Sequence, residues 1–190
     1  MRTERTREAL IAAALARFLD QGVQRTTVAE IVADAGLGER TFYRYFPSKE
    51  HILFSDYDAR LDWFRAALRV RPPREPITVS VRTAVESFPY TEALQQIAEL
   101  RAREMQVEQI NAHFNRVEAA FAGEIEQHLH RVDGYNADDD KGLRAKLHAH
   151  MISSAMFSAL HIWLNTAHRD FSELERLINL SLQIIGDGVT

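Results

Sequence analysis

The stretch Thr26-Thr27-Val28-Ala29-Glu30-Ile31-Val32-Ala33-Asp34-Ala35-Gly36-Leu37-Gly38-Glu39-Arg40-Thr41-Phe42-Tyr43-Arg44-Tyr45-Phe46-Pro47-Ser48-Lys49 decides the fold of this chain. Either threonine at its start can accept from the free amides of a helix N-terminus. Thr27 and Glu30 stand at capping-box spacing. Val28, Ile31, Val32 and Ala35 then form the inner face of a short helix. Gly36 is expected to end it with positive φ, where a Cβ is strained. A further helix restarts near Gly38. In it Phe42 and Phe46 are four apart and face a core, while Arg40, Tyr43 and Arg44 fall on other faces. Pro47 stops it. Two short helices joined by Ala35-Gly36-Leu37-Gly38 make a helix-turn-helix.

Outward from this motif the pattern stays helical. Leu10, Ile11, Ala14, Leu15, Phe18 and Leu19 form one apolar stripe, predicting a helix over about 3–20, with Gly22 as its stop. Ser48 is expected to cap a helix running to about Val70, with Lys49 at its start and Glu50 and Asp56 in or near its early turns. Pro72-Pro73-Arg74-Glu75-Pro76 is the only proline cluster. It separates a head, residues 1–50, from a body, residues 51–190, with the helix 48–70 as the link. Five further helices are expected at about 77–87, 91–104, 107–131, 138–168 and 172–186. Phe88-Pro89 and Asp133-Gly134-Tyr135-Asn136 break them apart. No segment alternates at period two long enough for a sheet. The fold class is therefore all-α, about nine helices, with a three-helix N-terminal head.

Bulk composition bounds the function. The chain has 190 residues, 46% of them hydrophobic, which is ample for a packed core. Cysteine is absent, so disulfide scaffolds and thiol-ligated metal sites are excluded. No apolar run reaches membrane-span length, and the charged start Met1-Arg-Thr-Glu-Arg-Thr-Arg-Glu is unlike a signal peptide, so a cytoplasmic protein is expected. The net charge of −4 is uneven. Residues 1–50 carry eight Lys/Arg against seven Asp/Glu, and residues 51–190 carry fifteen against twenty. A near-neutral head on an acidic body suits a few placed phosphate contacts. It does not suit a basic coat for non-specific nucleic-acid binding.

A helix that enters the major groove must be short, anchored from behind and polar in front. Phe42 and Phe46 supply the anchor. Arg40, Thr41, Tyr43 and Arg44 supply the front. Arg40, near the N-terminal end, can pair with both acceptors of guanine. Tyr43 and Tyr45 can donate to phosphate oxygens. Lys49 is expected to pair with a phosphate beside the free amides of the following helix. With Thr27, these are the candidate DNA contacts. The competing explanation is a buried helical hairpin with incidental Arg and Tyr. The clean separation of anchors from polar front weighs against it.

The run 26–37, with Thr41-Phe42-Tyr43-Arg44-Tyr45-Phe46-Pro47-Ser48-Lys49-Glu50, resembles the N-terminal motif of TetR-family regulators. The resemblance covers roughly residues 26–53. Chain length, the all-α body and the preceding amphipathic helix agree with it. Gly38 departs from the pattern, since family members often carry Ser there as the cap of the reading helix. The resemblance implies a homodimeric repressor of an inverted-repeat operator on double-stranded DNA. The body would be an effector-binding and dimerisation domain. Its last two helices, about 138–168 and 172–186, would pair with their twins. A small effector enclosed by central helices would release the operator.

The body's own residues are compatible with those roles. On the helix 138–168, Leu143, Leu147, His150, Ser154, Phe157, His161 and His168 fall on one side. Ile152, Ala155, Met156, Ala159 and Trp163 fall on the other. A helix apolar on both sides packs between two partners. Phe171, Leu174, Leu177, Ile178, Leu182 and Ile185 give the final helix a matching face. Trp63, Phe88, Met105, Phe114, Phe121, Met151 and Met156 are candidates to line an effector pocket, with Glu124, His113 or His128 for polar specificity. For each, ordinary core is the competing role. An apolar or amphipathic effector fits this lining better than a sugar or nucleotide.

Metal and catalysis find little support. His128/His130 and His148/His150 are two apart, which points them to different sides of a helix. No His pair has spacing four, and Asp138-Asp139-Asp140 lacks a calcium-loop pattern. There is no glycine-rich phosphate loop and no nucleophile motif. Neither a cofactor nor a metal is expected, nor an enzyme. The alternative function is a TetR-like dimer serving as a protein-interaction module or lipophilic-ligand carrier without an operator of its own.

Overall fold

A computed structural model of the chain describes residues 2–89, 92–133, 140–164 and 171–188. Among them are nine α-helices and no strand, as the sequence pattern predicts. The helices are α1 (Arg2–Gln21), α2 (Val28–Asp34), α3 (Glu39–Tyr45), α4 (Ser55–Arg69), α5 (Ile77–Glu86), α6 (Glu92–Glu104), α7 (Val107–Asp133), α8 (Asp140–Leu164) and α9 (Phe171–Gly188). A 3-10 helix, Lys49–Phe54, precedes α4. The expected break Gly134-Tyr135-Asn136, the acidic run through Asp139 and His168 lie outside the described residues.

Two compact units emerge. The first takes residues 1–59 and 90–113, the second 60–89 and 114–190. This differs from a contiguous division at residue 50. The physical reason is α6: its Ile97 and Leu100 are buried in the same apolar cluster as Leu10, Phe18, Ile31 and Phe42. The head therefore includes a helix from far along the sequence. Fully burying each large side chain of that cluster contributes roughly 1.5–3 kcal/mol.

The helix 48–70 also starts differently from expectation. Ser48 makes no side-chain capping bond, and the chain first winds as a 3-10 helix. Ile52, Leu53 and Phe54 are consecutive and all buried. A 3-10 helix spreads consecutive side chains about 120° apart, so three in a row are all buried only where each of those directions is covered. Regular α-helix starts at Ser55.

In the second unit α9 packs against α8 and α5. Phe64, Val81, Ala84, Ile125, Ile152 and Leu182 are buried there. Ser153 Oγ donates to the Glu118 carbonyl at 2.8 Å, joining α8 to α7. Arg65 Nε donates to Glu124 Oε1 at 2.7 Å, joining α4 to α7. The proline cluster is stapled by Glu75, which accepts from the Arg71 guanidinium and from Ser80 Oγ, the latter at 2.6 Å.

Candidate nucleic-acid interface

The helix-turn-helix part of the head comprises α2 and α3, with α1 packed against α2. Gly22 (φ +83°) ends α1 and Gly36 (φ +66°) ends α2, both in the left-handed region that the sequence pattern assigned to Gly36. Thr27 caps α2 in a complete capping box. Its hydroxyl oxygen accepts from the Glu30 amide at 3.2 Å, and its own amide donates to Glu30 Oε2 at 2.8 Å. The Thr27 amide first, and then the Thr27 hydroxyl, which donates to the same oxygen at 2.8 Å, hold the Glu30 carboxyl below its ordinary pKa. Thr27 is exposed, but its hydroxyl is engaged in the box.

Phe42 and Phe46 anchor α3, at 0% and 2% exposure. Their rings lie 5.7 Å apart, and Tyr43 meets Phe42 edge-on at 5.4 Å. Arg40, Tyr43 and Arg44 are exposed on the opposite side, and Thr41 and Tyr45 are half-buried. The Arg44 guanidinium lies 5.1 Å from the Tyr45 ring centre, a cation–π contact that orients it along the helix surface. Thus one helix presents an apolar back and a polar front of hydrogen-bond donors. Gly38 occupies the N-cap in an extended conformation and supplies no capping side chain.

Lys49 is placed differently from the expected phosphate contact. Its Nζ donates to the backbone carbonyls of Gln24 at 3.1 Å and Thr26 at 2.6 Å.

Three braces escaped the sequence pattern. Arg17 grips Asp34 through two bonds, 2.6 and 2.9 Å, tying α1 to the end of α2. That grip lowers the Asp34 pKa and raises that of Arg17. Arg7 pairs with Asp58 at 3.0 Å and sits over the Phe46 ring. Arg101 of α6 is buried. It donates to Asp56 Oδ1 at 2.6 Å, Asp56 Oδ2 at 3.2 Å and the Leu53 carbonyl at 2.6 Å. Its guanidinium also lies 4.3 Å from the Tyr57 ring centre. Burial alone would depress its pKa, but the attraction of Asp56 and Tyr57 outweighs burial and the net shift is upward.

The candidate pocket residues fall in both units. Met105 packs against the apolar core of the head. Trp63 and Phe88 meet edge-on at 6.2 Å, with Trp63 Nε1 bonded to Ser87 Oγ at 3.0 Å. Phe114 and Phe121 each pack edge-on against Phe157, at 6.1 and 5.5 Å. Met156 is buried on α8 and Met151 is half-buried. The polar candidates are engaged: Glu124 with Arg65, His113 stacked on Phe54 at 3.9 Å, and His128 with Arg131 at 2.7 Å. Among the described residues, no group of three or more His, Asp and Glu side chains is placed to hold a metal ion. No described helix is long and apolar enough to cross a membrane.

On α8, Ile152, Met156, Ala159 and Trp163 are buried as one face, and Phe157, on the other side of the helix, is buried as well against Phe114 and Phe121. Leu143, Leu147 and Ile162 on α8, with Leu180 and Ile184 on α9, are exposed large apolar side chains.

Two short helices, the second anchored by aromatics and polar in front, within a chain that is helical over its described residues, define a helix-turn-helix protein. A family described as "Bacterial regulatory proteins, tetR family" matches residues 10–55. The HTH-type transcriptional regulator TcmR of Streptomyces glaucescens is 45% identical over 71 residues, which are 37% of this chain and 31% of TcmR. The chain thus matches less than a third of that relative's length. SmeT, the repressor of the Stenotrophomonas maltophilia multidrug efflux pump SmeDEF, superposes with a TM-score of 0.57 at 25% identity, over 100% of this chain and 95% of SmeT. A Syntrophomonas wolfei protein assigned to the TetR family superposes with a TM-score of 0.61 at 20% identity, over 100% of this chain and 98% of that one. The family match thus covers the helix-turn-helix end of the chain, and the superpositions show the fold.

Proposed function

We propose that the chain is a dimeric transcriptional repressor that reads an inverted-repeat operator and is released by a small apolar or amphipathic effector. The observation that carries this reading is the split face of α3, with Phe42 and Phe46 buried and Arg40, Tyr43 and Arg44 exposed. Arg40 reads a base edge. Thr27, Thr41, Tyr43, Arg44 and Tyr45 position the helix on the phosphates. SmeT is described as a repressor, which supports the same direction of control here.

Dimerisation supplies the second head. The exposed Leu143, Leu147 and Ile162 of α8 and Leu180 and Ile184 of α9 are the face that a second copy covers. The effector's apolar portion packs near the Phe114, Phe121 and Phe157 rings of the second unit. Effector binding shifts the equilibrium only if it favours the state that does not read DNA.

Quantitative binding to duplexes selected from a randomised pool tests the reading. Affinity should fall steeply with salt, and Arg40→Ala should cost roughly 1–3 kcal/mol on the preferred sequence while relaxing base preference. A chain that retains no duplex at low salt refutes it and points to a protein-interaction role. Leu147→Glu with Ile184→Glu should yield monomers in sedimentation; an unchanged dimer would remove this face from the assembly.

A further inference from the structure

We propose that Lys49 is a positioning residue that straps the reading helix to its brace, not a phosphate contact. The inference rests on the DNA-reading function proposed above. Its ammonium donates to the Gln24 and Thr26 carbonyls at 3.1 and 2.6 Å, reaching back 25 and 23 residues. The side chain is 17% exposed, and the ammonium also has a longer ion-pair contact with Glu50 at 4.0 Å. Two of its three donors are thus spent on carbonyls.

The α1–α2 connection makes this placement consequential. Its carbonyls are served by side chains: Gln21 by Arg25 at 2.7 Å, Gly22 by the Thr26 hydroxyl at 2.9 Å, and Gln24 and Thr26 by Lys49. Thr26 is itself fully buried and adjoins Thr27, the cap of α2. Lys49 follows α3 by four residues. The strap therefore runs from the exit of the reading helix to the entrance of the bracing helix. Charge-assisted bonds to carbonyls are about twice as strong as neutral ones. Moving the ammonium to a phosphate would surrender both of them and release the cap of α2. The strap fixes the angle between α2 and α3 before DNA arrives, so less ordering is left to be done on binding.

The test uses the full chain and a duplex selected by the wild-type protein from a randomised pool. Lys49→Met should weaken binding by about tenfold, the size of one or two net hydrogen bonds. The loss should be the same at every salt concentration, leaving the log–log salt slope unchanged. Lys49→Arg, which keeps charge and donors, should restore most of the affinity. A slope that falls by about 0.9 for each lost contact would identify a phosphate contact and overturn the proposal. Without DNA, amide exchange at Thr27–Glu30 should quicken in Lys49→Met; unchanged exchange also overturns it. Should Lys49→Met not fold, the wild-type Lys49 ammonium decides by NMR. A slowly exchanging ¹⁵Nζ signal that does not move when duplex is added supports the strap. An absent signal, or one that acquires coupling to ³¹P, overturns it. Failure of the wild-type chain to retain any duplex sinks the DNA reading instead, while the DNA-free arms still judge the strap.

Discussion

Replacing Arg101 with methionine should cost the protein about 3–5 kcal/mol of stability at pH 7. The size follows from what is left behind. Asp56 is fully buried and the Arg101 side chain is 6% exposed, so water does not replace the lost guanidinium. The Asp56 carboxylate loses charge-assisted bonds worth roughly 1.5–3 kcal/mol. The Leu53 carbonyl loses a donor, at roughly 1–3 kcal/mol for a buried group left unpaired. Methionine fills much of the vacated volume, so the cavity contribution is small. Arg101→Met/Asp56→Leu removes both charges and should recover most of the loss. Urea unfolding of the three proteins at pH 7, followed by circular dichroism, measures each quantity. The reasoning fails if Arg101→Met lies within about 1 kcal/mol of wild type, or if the double variant is no better than the single.

Other parts of the fold make further commitments. Phe42→Ala should cost about 3–5 kcal/mol in the same unfolding assay, because the ring is fully buried in the head. Glu75 is held down to about 2 by Arg71, then by Ser80, so its folded pKa is depressed. Its stabilising contribution is present above the ordinary 4.5 and fades as pH falls through about 2. Carboxyl NMR should find that midpoint, and Arg71→Gln should return it toward 4.5. Gly36→Ala should destabilise by about 1–2 kcal/mol: the site has open space, so the cost lies in φ alone. Gly38→Ser should instead raise the melting temperature by the equivalent of about 0.5 kcal/mol, since the extended N-cap is also open and a hydroxyl can reach the free amides.

The capping box at Thr27, the left-handed turn at Gly36 and the anchors Phe42 and Phe46 were all legible in the sequence. Each rests on spacings of three to four residues, and such local geometry survives folding unchanged. Arg101 was not legible. In Glu99-Leu100-Arg101-Ala102-Arg103-Glu104 it looks like one more solvated charge on an exposed helix. Only its partner, 45 residues earlier, makes it a core residue. At Lys49 the motif position implies a phosphate contact, and what it did not reveal is that the ammonium's hydrogen-bond acceptors are carbonyls of a loop more than twenty residues upstream. The 3-10 turn before α4 was hidden because Ile52-Leu53-Phe54 looks the same in any helix type. Sequence pattern thus locates the local caps and anchors well and their long-range supports poorly.

The contribution of α6 to the head bears on how the chain can be made and rearranged. A nascent chain that has emerged only as far as α4 has Asp56 and the Leu53 carbonyl but no guanidinium to serve them. The apolar faces that Ile97 and Leu100 later cover are still wet. The head therefore completes itself late in synthesis, although α1 to α3 are translated first. A graft cut after the proline cluster carries α1 to α3 and Asp56 without the buried counter-ion Arg101. A chimaera that keeps residues 90–113 with the head transfers a unit that can close.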